Sequence, residues 1–361
     1  MNSYYLMHKN TPVMEFSPYT ETARFLNRDQ APLSIRKMPD RFEAVRLFCA
    51  SRVLQESRKH RDTIIISCNI INATPVSLCL TCYGLSLRDS YWFKETTGQE
   101  TWKDVNLYTN PLSENLAEAA LTGEETSVSP FGDKVYQLAA ELTSRGTKAK
   151  CYLKKGRQIY LAKAMEPEEI IAETLSHAIA SAMHAPSAHY RKARIFDTEC
   201  SVCPIRTNEN VELVTAGDVM MNFACTMTFG TDFYNLFMKV DPLNFTRMQL
   251  FDMITLNINR NKDNFALYAE NGKIQGMYDL LDHDACFQGL SENAVYFVTG
   301  MRFTKSYLTL RKMYPEVLEQ LRPDLMNLHR FLKEEGLSLF QRCDKMSWYD
   351  GVLRRTELLL Q

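Results

Sequence analysis

Between residues 40 and 60 the apolar positions Phe42, Val45, Leu47, Phe48, Val53 and Leu54 recur at helical spacing among Arg, Glu and Lys, which predicts an amphipathic helix. Residues 63–87 then carry no charge at all, a run long enough to cross a bilayer. Asn69, Asn72, Thr74 and Pro75 interrupt it, and the Ile64-Ile65-Ile66 and Ile70-Ile71 clusters are β-branched, so short buried strands are expected rather than a membrane span. Residues 112–121 show a second helical pattern that stops at Thr122-Gly123. Two short apolar runs, residues 150–153 and 158–162, flank Lys154-Lys155-Gly156-Arg157 and predict a β-hairpin. A helix over residues 167–183 opens on Pro167, with Glu166, Glu168 and Glu169 favourably placed against its dipole. Residues 245–257 make another apolar helix running straight into a polar string, and Leu321, Leu325, Leu328, Phe331 and Leu332 mark a helical C-terminal region.

Residues 1–33 are polar and irregular and read as an extended lead-in, while residues 124–132, with Ser127, Ser129, Pro130 and Gly132, make the best linker candidate. The chain is thereby divided into residues 1–33, an N-terminal domain over 34–125, and the remainder from residue 126 onward. With 361 residues and 45% apolar side chains it can bury a sizeable core without disulfides or metal. Its 42 basic and 43 acidic residues leave a net charge of -1, which gives no general attraction to nucleic acid or anionic lipid.

Ten cysteines spread from Cys49 to Cys343, with no basic and apolar leader in residues 1–11, suggest a reduced, cytoplasmic protein. Cys79-x-x-Cys82 and Cys200-x-x-Cys203 offer four thiolates for zinc, but the pairs lie too far apart for a zinc ribbon. Buried free thiols, the first two in an apolar strand, are the better account. Trp92 and Trp102 read as core or interlobe aromatics.

Four features with chemistry follow in chain order. Lys163 ends the second hairpin strand, and Glu173 sits one to two turns into the next helix. Then come the string Asn257-Ile258-Asn259-Arg260-Asn261-Lys262-Asp263-Asn264 and, after one more short hairpin, Asp279-Leu280-Leu281-Asp282-His283-Asp284. Taken singly these are an ordinary strand lysine, a solvated helix face, a polar turn and an acidic surface loop with His283 as a plain loop residue. In this order they match the parts of ATP phosphoryl transfer: a lysine against the phosphates, a glutamate that holds it, a catalytic loop, and an Asn and an Asp on magnesium.

At these residues the chain resembles the HipA-like serine/threonine kinases, in the branch with an extended N-terminal region. The resemblance is carried by Tyr83-Gly84-Leu85-Ser86-Leu87-Arg88-Asp89-Ser90-Tyr91-Trp92, by Trp102-Lys103-Asp104-Val105-Asn106-Leu107-Tyr108, and by Asn257-x-Asn-Arg-x-x-x-Asn264-Phe265. It spans about residues 34–345, with weaker support from Leu161-Ala162-Lys163 and Ser201-Val202-Cys203, where an interlobe hinge would fall. It implies an α+β, protein-kinase-like bilobal fold preceded by a small N-terminal α/β domain. The small lobe with the hinge would occupy residues 126–206 and a helical large lobe residues 207–361.

By the same resemblance Lys163 contacts the phosphates of ATP and Glu173 pairs with it. Asn264 and Asp282 hold magnesium, with Asp279 and Asp284 as rivals for the second place, and adenine lies against Val202, Cys203 and Ile205. Gly146, in Thr143-Ser144-Arg145-Gly146-Thr147, falls where the family places its phosphate loop, here with a single glycine followed by Lys148 and Lys150, whose charge would join the backbone amides in cradling phosphate. The main departure is Asn259, which stands where an active member carries the catalytic Asp. Asn261 follows where His is frequent. A carboxamide is no base, so the resemblance implies an ATP- and magnesium-binding kinase-fold protein with weakened phosphotransfer, a pseudokinase in the limit, with a protein substrate or partner as its other ligand. Asp263 is a neighbouring carboxylate on a different side of the loop. The residues leave open an active, toxin-like kinase that autophosphorylates Thr143, Ser144 or Thr147, and a non-catalytic interaction module without nucleotide.

Overall fold

The first 33 residues differ from the expected irregular lead-in. They form strands β1 (Tyr4–His8), β2 (Thr11–Ser17) and β3 (Thr22–Phe25), which join β4 (Tyr91–Glu95) in an antiparallel sheet of order β3-β2-β1-β4. The reason is pairing at a distance: Leu6 stands opposite Phe93 and Met7 opposite Trp92, so an apolar strand some eighty positions away completes two weakly patterned ones. Phe16, Phe93 and Phe48 pack together behind the sheet, ring centroids 4.9 and 5.7 Å apart. The structure is a computed structural model, and it describes residues 2–126, 139–224, 231–287 and 294–361.

Helix α1 (Arg41–Ala50) starts where Asp40 accepts hydrogen bonds from the amides of Phe42 and Glu43, and it ends ten residues before the expected boundary. Beyond it Arg52 turns inward to the Gly84 carbonyl and Asp89. The uncharged run contains no strands, contrary to expectation: it folds as helices α2 (Arg61–Ser67) and α3 (Pro75–Thr81). Start signals outweigh β-branching here, because Thr74 caps α3, Pro75 fits its first position, and α2 buries Ile64 and Ile65 while Ile66 faces out. Cys79 and Cys82 therefore belong to α3 and its C-cap rather than to a strand, and the described cysteines are free thiols. Among the described residues no helix is long and apolar enough to cross a membrane.

After the short helix α4 (Trp102–Val105) comes α5 (Glu114–Thr122), closed by Gly123 at φ +85°, where a Cβ would lie 2.4 Å from the His60 ring. The linker candidate at residues 124–132 falls mostly outside the described residues. A second antiparallel sheet, of order β5-β6-β8-β7, is built from β5 (Lys150–Lys155), β6 (Gln158–Ala164), β7 (Arg191–Ile195) and β8 (Thr198–Pro204). One of its faces, with Cys151, Ala162, Cys200 and Val202, packs against Ala117 and Leu121 of α5. Between β6 and β7 runs α6 (Pro167–Ala182), opened by a reciprocal cap between Glu166 and Glu169.

The remainder is helical apart from the sheet of β9 (Val211–Thr215), β10 (Ala266–Glu270) and β11 (Lys273–Met277) and the short antiparallel pair β12 (Val295–Tyr296) and β13 (Met301–Arg302). Its helices are α7 (Ala216–Ala224), α8 (Thr231–Val240), α9 (Pro242–Thr255), α10 (Phe303–Met313), α11 (Pro315–Phe331), α12 (Leu337–Arg342) and α13 (Met346–Leu360). From Phe245 to Thr255 every side chain but that of Arg247 is buried, with Phe245, Phe251 and Ile254 fully so, which makes α9 the lobe's central helix. The N-terminal domain docks on this lobe through Arg88–Asp218 at 2.9 Å, His8–Glu212 at 2.8 Å and a backbone bond from Leu213 to the Arg88 carbonyl.

Candidate active site

Side-chain alternation along β6 sends Ala162 to the α5 face and Lys163 to the other. Ser201 of β8 stands opposite Lys163 in register and shares its face. Glu173, two turns into α6, is fully buried against them. The Lys163 ammonium donates to one Glu173 oxygen and, at 2.9 Å, to Asp282, while the Ser201 hydroxyl donates to the second Glu173 oxygen. Burial alone would lower the Lys163 ammonium, but Glu173 and Asp282 hold it well above the usual lysine range. Asp282 is the converse: against burial, Lys163 holds its carboxyl well below the usual range. Asp282 sits at φ +59°, its amide bonded to the Tyr190 hydroxyl at 2.9 Å, with the Lys163 ammonium 5.2 Å from the Tyr190 ring centroid.

Asp279 points elsewhere and pairs with Arg206 at 2.8 Å. Asp284 lies in the field of Asp282, and burial together with that charge raises its carboxyl. His283 lies in this loop, but it is buried against the Phe251 and Tyr190 rings, and burial pushes it well below its ordinary value.

The loop after α9 is organised by Arg260, whose guanidinium is wholly buried on Asp252 at 2.9 Å. Its Nη1 also donates to the carbonyls of Asn264 and Leu281, at 2.7 and 2.6 Å, which sets Asn264 beside the segment carrying Asp282. The Tyr296 hydroxyl donates to the other Asp252 oxygen at 2.7 Å. Asn264 directs its amide nitrogen to the Asn259 carbonyl at 2.8 Å, leaving its amide oxygen as the outward acceptor. Asn259 is exposed, and its side-chain oxygen accepts from Asn261 at 3.0 Å. Asp263 is engaged by Lys262 at 2.9 Å and by Arg145 at 3.6 Å.

Gly146 has φ +99°, and within its loop Thr143 and Ser144 are buried while Thr147 is exposed. The expected adenine contacts divide. Cys203 shares the Lys163 face and packs near Tyr190, whereas Val202 faces α5 on the opposite side, because consecutive strand residues point to opposite faces. Ile205 has its amide bonded to the Ile159 carbonyl and its carbonyl bonded to Gln158. The connection between the two sheets begins at Ile205, after β8, so Ser201, Val202 and Cys203 are strand rather than hinge.

Asp252, Tyr296 and Tyr190 escaped the sequence reading. A lone Asp in the apolar helix eight residues before Arg260 was the available signal for the first; the tyrosines left none.

No family model matches the sequence, and no curated protein does. Among solved structures, HipA of Shewanella oneidensis MR-1, from that toxin–antitoxin system's complex with HipB and operator DNA, aligns over 98% of this chain and 96% of its own at 13% identity, with a TM-score of 0.56. The Helicobacter pylori proinflammatory kinase CtkA aligns with 58% of this chain and 89% of its own, at 13% identity and a TM-score of 0.41. The likeness to HipA runs through the N-terminal domain as well as both lobes, and the chain has a HipA-like kinase fold.

Proposed function

We propose that this protein binds ATP with magnesium in the cleft between the β5–β8 sheet and the large lobe, and that its phosphotransfer is weakened at Asn259. The observation that carries the reading is the Lys163 ammonium held between Glu173 and Asp282. A lysine so placed presents a fixed cation to phosphate oxygens, and its two carboxylates keep it charged.

The donor set fits magnesium. The Asn264 amide and the Asp282 carboxylate are hard oxygen ligands, and magnesium takes one or two such protein groups and completes its shell with phosphate oxygens and water. It would neutralise charge on the transferring group. Asn259 at the catalytic position cannot accept the acceptor's proton, which removes a factor of roughly 10² to 10⁴. Asp263, engaged by two cations, is a poor substitute. Positioning and charge neutralisation would remain, so slow transfer to a protein acceptor is retained in this reading. Free cysteine thiols fit a reducing, cytoplasmic setting.

Thermal unfolding with ATP and magnesium tests the reading. A ligand at a hundred times its Kd adds about 2.7 kcal/mol, and a folded protein whose melting is unmoved by saturating nucleotide would end it. Radiolabelled transfer then measures the remaining chemistry; robust transfer lost in Lys163→Ala would refute the weakening.

A further inference from the structure

Asp282 is held from a segment outside the expected site residues. Helix α6 ends at Ala182, His184 turns the chain at φ +52°, and residues 186–190 pass beside residues 280–283 before β7 begins. The Leu280 amide donates to the Pro186 carbonyl at 2.8 Å and the Ala188 amide to the Leu280 carbonyl at 3.0 Å, a single rung of parallel pairing. The Ser187 hydroxyl and the His283 ring meet at 3.2 Å. The last contact is the Tyr190 hydroxyl, which accepts the Asp282 amide at 2.9 Å.

At φ +59° the Asp282 backbone is left-handed, a conformation that a residue with a Cβ keeps only where its surroundings hold it. Asp282 belongs to no strand or helix that could take up its amide, and a buried amide left unbonded is costly. The ion pair with Lys163 fixes the carboxylate alone, whereas the bond to Tyr190 fixes the backbone that aims it. Tyr190 is itself closely packed. It is buried with Ala188 and Cys203 against Leu161 and Leu281, the His283 ring meets it edge-on at 5.6 Å, and the Lys163 ammonium lies 5.2 Å from its centroid.

We infer that Tyr190 is a positioning residue for the carboxylate of Asp282, an inference that rests on the ATP and magnesium reading above. Its hydroxyl sets the Asp282 turn before any ligand arrives, and its ring borders the ammonium that the same carboxylate faces. One side chain thereby fixes the place of the phosphate-binding cation relative to the oxygen offered to the metal. Phenylalanine at this position fills the same space but frees Asp282 to relax to an ordinary backbone conformation, with its carboxylate turned from Lys163.

Calorimetric titration of the full chain with ATP, once in magnesium and once in EDTA, tests this. Tyr190→Phe should weaken ATP about fivefold or more in magnesium, as expected for a lost hydrogen bond, and change it little in EDTA. Tyr349→Phe, which removes another buried hydroxyl, bonded to the Leu332 carbonyl, should bind as wild type in both. A folded Tyr190→Phe protein that keeps wild-type affinity in magnesium, or loses as much in EDTA, overturns the role of Tyr190. Hydrogen exchange of the wild-type chain needs no variant: the amides of Leu280 and Asp282 should be protected without nucleotide. Exchange there at the rate of an open loop, slowed only by ATP and magnesium, overturns a turn set in advance. Wild-type protein that binds ATP in neither condition ends the ATP reading itself, and equal wild-type affinity in both removes magnesium and this inference with it.

Discussion

Asp252 and Arg260 form an ion pair in which both side chains are wholly buried, and the remaining donors of Arg260 tie Asn264 to the segment before Asp282. Removing one partner of such a pair strands the other charge in a dry interior, at a cost of about 3–5 kcal/mol. Asp252→Ala should therefore lose about that much stability in urea unfolding, and Tyr296→Phe about 1 kcal/mol. A loss below about 1 kcal/mol for Asp252→Ala would contradict the arrangement.

Glu141 is fully buried shortly before the loop of Gly146, and burial pushes its carboxyl from 4.5 up to about 7. The folded chain then keeps a proton that the unfolded chain releases, so this group's contribution is present below about pH 4.5 and is lost as pH rises through about 7. Glu141→Gln should match wild type near the lower limit and exceed it at pH 8 by up to about 3 kcal/mol. Urea unfolding across that range checks the sign; a difference that does not grow with pH is the contrary result.

Asp282 faces Lys163 whereas Asp279 faces Arg206. Asp282→Asn should abolish the magnesium-dependent part of the ATP-induced rise in Tm, and Asp279→Asn should retain most of it. Melting curves with ATP alone and with ATP plus magnesium separate the two, and equal effects would remove Asp282 from the proposed magnesium site.

Asn259 is exposed, with its neighbours Asn257, Asn261 and Asn264 hydrogen-bonded around it. Restoring a carboxylate with Asn259→Asp should raise phosphate transfer by about a hundredfold or more, measured with labelled ATP and a generic protein acceptor. No gain would locate the defect elsewhere in the site.

Local order was legible in the chain. The hairpin of β5 and β6, the start of α6 at Pro167 and the stop of α5 at Gly123 follow from signals within a few residues of each other. So did the nearness of Lys163 and Glu173, since a strand end and the next helix are joined by a short turn. The strands of the first 33 residues are hidden because their partner is remote, and the β-branched composition around α2 and α3 points to strand where the cap at Thr74 and the proline after it set a helix start.

The sequence by itself determined which residues could carry charge, oxygen ligands and turns, because those are properties of side chains and of short stretches of backbone. Only the tertiary structure decided that Asp282 rather than Asp279 meets Lys163, that Val202 turns away, and that Lys150 comes to rest under Gly146. These outcomes depend on strand register and on the packing of segments more than a hundred residues apart, which no local pattern encodes.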